Sequence, residues 1–418
     1  MMQAKQISVP GQPIHRISHV ATLQKKLVLF SVFNLLVVSV VGVVLRTYPF
    51  ASIPFIDYRN LVHAHSHFAF GGWVIPVLLA VMLEQFPELS THIHFKHWRN
   101  ISVAILFSAY GMLFSFPVKG YAAVSISFSS ISIVACLYMG MMLWKASHFI
   151  SDSSAHFLRA GIVYLAISTL GPLAIGPLAA MGKTGSPIYF NAIYFYLHFQ
   201  YNGWFSFALL AILYKIVEKN TAVSHGRLVA RLLALACLPT YLLSTLWSHP
   251  PAYFYYIGFA AGVLQVIAAY YLVKDFWQLS REKNLVNRLL AIAVFFFILR
   301  ILLQLISALP AIADLAYTHR NFIIAYLHMV LLGCISTGAI GAVFKNIHPI
   351  SPLIKAGLLL FLIAFATTEI ILVLDASGVS IKWGFNYQHL LLIFSAIFPV
   401  AFFLLWFGLR KHYHSNPV

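Results

Sequence analysis

Apolar residues in this chain come in runs long enough to cross a lipid bilayer, and they do so about twelve times. A spanning helix needs roughly 20 mostly apolar residues. Such runs fall near 27–46, 60–86, 100–117, 121–147, 156–179, 189–217, 226–248, 253–273, 285–309, 318–345, 353–374 and 385–409. Of the 418 residues 61% are hydrophobic and only 9% charged, which leaves no stretch for a separate soluble domain. The chain therefore reads as all-α: a tail over 1–26, a single twelve-helix transmembrane domain over 27–409, and a tail over 410–418. The first run follows Lys25 and Lys26, exceeds a signal-peptide core in length and ends at Arg46 without a small-residue cleavage site. It is expected to be a retained span. The third run is short, the Gly/Pro-rich end of the fifth is expected to be partly unwound, and no internal repeat is evident.

A net charge of +17 would suggest nucleic acid as the partner of a soluble protein. In a membrane protein it marks the cytoplasmic loops, so the expected partner is the lipid bilayer and not nucleic acid. Of the 27 Lys and Arg, only Arg46, Arg59, Lys119, Lys183, Arg320 and Lys382 fall in odd-numbered loops, and Arg300 lies within a span. The rest flank the other side, which puts both termini in the cytoplasm, as expected for a protein of a bacterial inner membrane. Cys136, Cys237 and Cys334 sit in apolar runs. With no CxxC or CxxCH, neither a thiolate zinc site nor covalently attached heme is indicated.

Histidine is costly in hydrocarbon unless it pairs, faces a cavity or holds a metal. His63, His65 and His67 open the second run, and residues four apart share a helix face, so His63 and His67 point one way and His65 nearly the other. His198 lies in span six, His249 ends span seven, His328 lies in span ten and His389 opens span twelve. The charge-based topology puts all of them in the outer half of the bilayer, which points to one shared site or two connected ones. Arg300 and Glu369 are the other intramembrane charges, expected to pair with each other or, for Arg300, with a heme propionate.

Twelve spans with histidines on the second, sixth, seventh and tenth resemble heme–copper oxidase subunit I. HSHFAFGGWVIP is similar to that family's helix-two segment, and aligning Pro76 on its proline puts His65 at the low-spin heme position, with His63 the choice if the register slips. NFIIAYLHMVLLG resembles the helix-ten segment, with His328 as the second low-spin ligand and Tyr326 where the family has the high-spin heme ligand. LWSHPP resembles the helix-seven motif, His249 retained and Pro250 in place of the next copper ligand. YLHFQYNGW puts His198 at the helix-six copper position, with Asn202 where the family has tyrosine. The resemblance implies a fold like subunit I, a non-covalent heme b held by His65 and His328, and an incomplete copper site at His198 and His249, near Tyr326 and Arg300. It also implies an unidentified electron donor and acceptor and further membrane subunits. No intramembrane lysine on span eight and no Asn/Asp-rich inner loop support the family's proton channels. HAHSHFAFG, including His63 and His67, also resembles the NnrS-type heme/copper family linked to nitric oxide stress. The rival from another class is a cofactor-free transporter, with His63, His67, His198 and Glu369 relaying protons or binding a divalent metal.

Overall fold

The computed structural model describes residues 14–51, 53–219, 223–281, 284–379 and 386–415. These are 86% helical and contain no strand. Half of the expected N-terminal tail (residues 1–13), Lys382 and residues 416–418 lie outside the described residues. Twelve long helices run through the described part: α1 (Ile14–Thr47), α2 (Tyr58–Gln85), α3 (Phe95–Lys119), α4 (Ala123–Ser147), α5 (Ser154–Ala180), α6 (187–218), α7 (Gly226–Ser248), α8 (Tyr253–Arg281), α9 (Leu285–Ile306), α10 (Arg320–Phe344), α11 (Pro352–Ala376) and α12 (Tyr387–Ser415). All except α6 are long and apolar enough to cross a membrane. The sixth is helical throughout, but it buries His198, Gln200, Asn202 and Lys215, and these dilute its apolar character. The outer helices present large apolar side chains such as Phe107, Phe114, Val134 and Leu235 on their exposed faces, as an integral membrane protein does toward lipid.

Several expectations shift in detail. The first helix begins at Ile14, within the expected tail. The third is a full 25 residues, taking in the basic turn at its start. The Gly/Pro-rich end of α5 is not unwound: helix continues to Ala180 with a break only at Thr169. Irregularity falls in α7 instead, where Pro239–Ser248 tightens into a 3₁₀ helix and ends at His249 with φ of 50°.

Each helix packs on the next in the chain, and α12 packs back on α1, so the helices close a ring. Three of them, α2, α6 and α10, also touch one another and form its centre. That placement shows in their burial: 83% of the apolar window of α2 and 61% of that of α10 is inside the protein, against 28–44% for the other spans. Consecutive helices joined by short connections run antiparallel, so these three, each four apart in order, run the same way.

The central helices share a pattern that the sequence reading did not detect. His65-Ser-His67, Tyr196-Leu-His198 and Tyr326-Leu-His328 occupy equivalent places, and five residues after the second histidine position stands a glycine: Gly72, Gly203 and Gly333. Just beyond each histidine the helix widens into a π turn, at Ala69–Val74, Phe199–Phe205 and Met329–Ser336. A π turn breaks the i→i−4 ladder and leaves carbonyls that need other donors. Here side chains supply them: Asn34 of α1 donates to the Gly72 carbonyl (2.8 Å), Ser206 to that of Tyr201 (2.6 Å) and Thr337 to that of Leu332 (2.8 Å). The three central helices, four apart in chain order, thus share a local pattern of histidine, glycine and π turn.

At the opposite end of these helices Lys215 Nζ meets Glu88 (3.0 Å) and Asp152 (2.7 Å), while Asn346 donates to Glu84 (2.8 Å). These contacts tie α2, α5, α6 and α10 together and hold the level of the histidine turns.

Candidate functional site

The three central helices meet at three junctions. At the junction of α2 and α10 stand His65 and His328, within electrostatic reach of each other. Nδ1 of His65 is buried and makes no hydrogen bond of good geometry, although the Val38 backbone of α1 lies within its reach. Gly42 of α1 faces the same ring, and a Cβ there would lie 3.2 Å from His65 Cε1. His328 turns Nδ1 toward Oε1 of Glu369 on α11 at 3.6 Å, a long ion-pair contact, and no hydrogen bond engages its Nε2 among the described residues. Arg46, at the end of α1, lies within electrostatic reach of both Glu369 and Asp375, and Asp375 accepts from Asn321 at 2.6 Å.

At the junction of α6 and α10 stand His198 and Tyr326, with Tyr201 and Tyr326 rings 6.4 Å apart. Here Arg300, Asn202 and His198 fix one another's hydrogen-bonding roles. Arg300 of α9, 2% exposed, only donates, so Asn202 turns Oδ1 to it at 2.5 Å. The Asn202 amide then donates to His198 Nδ1 at 3.1 Å, and His198 Nε2–H donates to the Cys237 carbonyl of α7 at 2.9 Å. Both ring nitrogens of the fully buried His198 are committed. His249 is not beside it: its side chain is 73% exposed at the end of α7, 3.9 Å from Asp314. These residues do not fit a copper ion as placed, and no cluster of three or more His, Cys, Asp or Glu suited to a metal occurs among the described residues. The expected pairing of Arg300 with Glu369 is also overturned: Arg300 pairs with Asn202, and Glu369 faces His328 across the molecule's other junction. A propionate is not needed to explain the burial of Arg300, although its Nε lacks a partner.

At the junction of α2 and α6, Tyr196 meets α2 through Phe70, ring centroids 6.5 Å apart. His63 and His67 lie on one face, as the helical period requires, against Phe116 of α3 and Tyr121 before α4. His67 Nε2 is 3.1 Å from the Tyr121 hydroxyl. His389 sits in the first turn of α12, capped by Asn386 and apart from all three junctions.

Sequence reasoning found both histidines of the first junction. It missed Gly42, Arg46 and the placement of Glu369, because nothing in the sequence says which face of α1 or α11 meets α10. Fold and junctions together define a polytopic helical membrane protein with a polar centre carried on its three inner helices. No family model matches the chain, and no curated protein matches it.

Proposed function

We propose that this protein is an integral membrane b-type cytochrome, distantly related to heme–copper oxidase subunit I, that transfers electrons through one heme held by His65 and His328. The observation that carries the reading is the first junction: two imidazoles on facing central helices, each with a ring nitrogen left uncommitted, with a glycine giving the His65 ring room against α1. These residues fit a bis-histidine heme. When bound, the heme supplies reversible one-electron exchange at a six-coordinate iron.

The chain's own part is positioning and electrostatics. Glu369 Oε1 lies 3.6 Å from Nδ1 of His328, and closing to a hydrogen bond on heme binding would fix the ring's tautomer, leave Nε2 for the metal and make it more basic. Arg46 offsets the Glu369 charge from the end of α1. Packing between α1, α2, α10 and α11 leaves the two rings only partly exposed, which limits reorganisation around a change of one charge. The second junction plays no such part. With His198 hydrogen-bonded at both nitrogens and Pro250 unable to ligate, the reading is an electron-transfer protein and not a terminal oxidase.

The test is the absorption spectrum of protein purified from heme-replete cells. A Soret band that shifts on dithionite, with α and β bands of a low-spin heme b, supports the cytochrome. Colourless, monodisperse protein would contradict it and leave the transporter.

A further inference from the structure

We propose that His63, His67 and Tyr121 form a second, separate site that binds a divalent late transition-metal ion, zinc or copper, at the N-terminal end of α2. The site lies on the opposite face of α2 from His65 and shares no residue with the heme junction. His63 and His67 are one helical turn apart, the spacing at which two imidazoles converge on one ion. Tyr121 closes the set from the connection between α3 and α4. Its hydroxyl is 3.1 Å from His67 Nε2, and its ring centroid is 4.8 Å from that of His63. Two ligands about 2.0–2.1 Å from one ion at near-tetrahedral angles lie roughly 3.1–3.4 Å apart. The present His67–Tyr121 hydrogen bond therefore already has the span of two adjacent metal ligands.

The surroundings hold the rings in place. Phe116 stacks on His67, centroids 4.8 Å apart and planes 16° from parallel, and also borders His63 at 6.0 Å. No hydrogen bond engages either ring nitrogen of His63 among the described residues, and Tyr121 is 50% exposed, which leaves an entry route and a position for water. Asp57 and Arg59, of opposite sign, are the charges within reach of His63, so no net local charge repels a cation. Two imidazoles and a phenolate suit zinc, copper or nickel and not magnesium or calcium. Binding releases the phenol proton to solvent as the oxygen–metal bond forms, one proton per ion.

The experiment is zinc titration calorimetry on the full-length protein in detergent, in two buffers of different ionisation enthalpy, with zinc-edge X-ray absorption on the loaded sample. Expected are one zinc per chain, about one proton released, and scattering from two imidazole rings. H63A and H67A should each weaken binding by more than about tenfold, Y121F should weaken it and abolish proton release, and H65A should bind zinc as the wild type does. Absence of stoichiometric zinc in monodisperse protein, or unchanged zinc binding in the H63A/H67A double variant, would overturn the site. Because H65A removes a heme ligand and no zinc ligand, failure of the cytochrome reading and failure of this one are read separately.

Discussion

Arg300 carries a full charge into the middle of the protein with an amide, not a carboxylate, as its partner. A buried charge stripped of its hydrogen-bond partner is costly, so Asn202 does two jobs, accepting from Arg300 and donating to His198. Replacing it with leucine strands Arg300 and leaves His198 Nδ1 only the Ser244 hydroxyl at 3.4 Å, and Asn202→Leu should lower stability by about 3 kcal/mol. Asn202→Asp keeps an acceptor for Arg300 and should cost clearly less. Unfolding in detergent with increasing denaturant measures both, and equal stability of the leucine variant and the wild type would contradict the network. Glu369 acts differently, through charge near the proposed iron ligand. Glu369→Gln keeps the size and an acceptor oxygen but removes the negative charge that favours ferric iron. The heme midpoint potential should rise on the order of 50 mV, the equivalent of about 1 kcal/mol for one electron. Redox titration followed at the α band reads it, and an unchanged potential would separate Glu369 from the heme.

Among the elements, the π turns set the geometry, and each leans on its glycine. Gly203 is where α6 meets α5: a Cβ there would lie 2.6 Å from Tyr164 Cβ. Neither backbone can yield without parting the two helices, so Gly203→Ala should destabilise by about 1–3 kcal/mol. The same change at Gly176, where nothing lies within 4 Å, should be tolerated; parallel melting curves compare the two. These elements also show what a sequence can and cannot disclose. The spans were legible because length and apolarity alone decide them, and the opposition of His65 to His63 and His67 follows from helical period. Helix-to-helix contacts were not legible. Apolar spans face lipid on one side and protein on the other with the same residue types, so neither Gly42 against His65 nor Glu369 behind His328 leaves a trace in the order of residues. The pattern shared by the central helices escaped for a related reason, since it covers only eight residues, and the donor to its open carbonyl is Asn34 of another helix in one case but Ser206 and Thr337 of the same helix in the others.

For the molecule as a whole, the ring of twelve helices brings all three histidine turns to one level, with ion pairs clamping the far end. From the bias of Lys and Arg the clamped end is expected to face the cytoplasm. A cytoplasm-dependent reporter fused after Val418 should be active, and a periplasm-dependent one silent; the reverse would invert the whole arrangement. Orientation decides which compartment exchanges electrons, but the central claim is that His65 and His328 jointly hold one heme. Low-temperature electron paramagnetic resonance of the oxidised, heme-loaded protein tests this most directly, because the low-spin ferric signal reports both axial ligands together. Wild type and Tyr326→Phe should show a bis-imidazole low-spin signal, and His65→Ala and His328→Ala should each lose it. Persistence of that signal in either alanine variant, or its absence from heme-loaded wild type, would contradict the assignment.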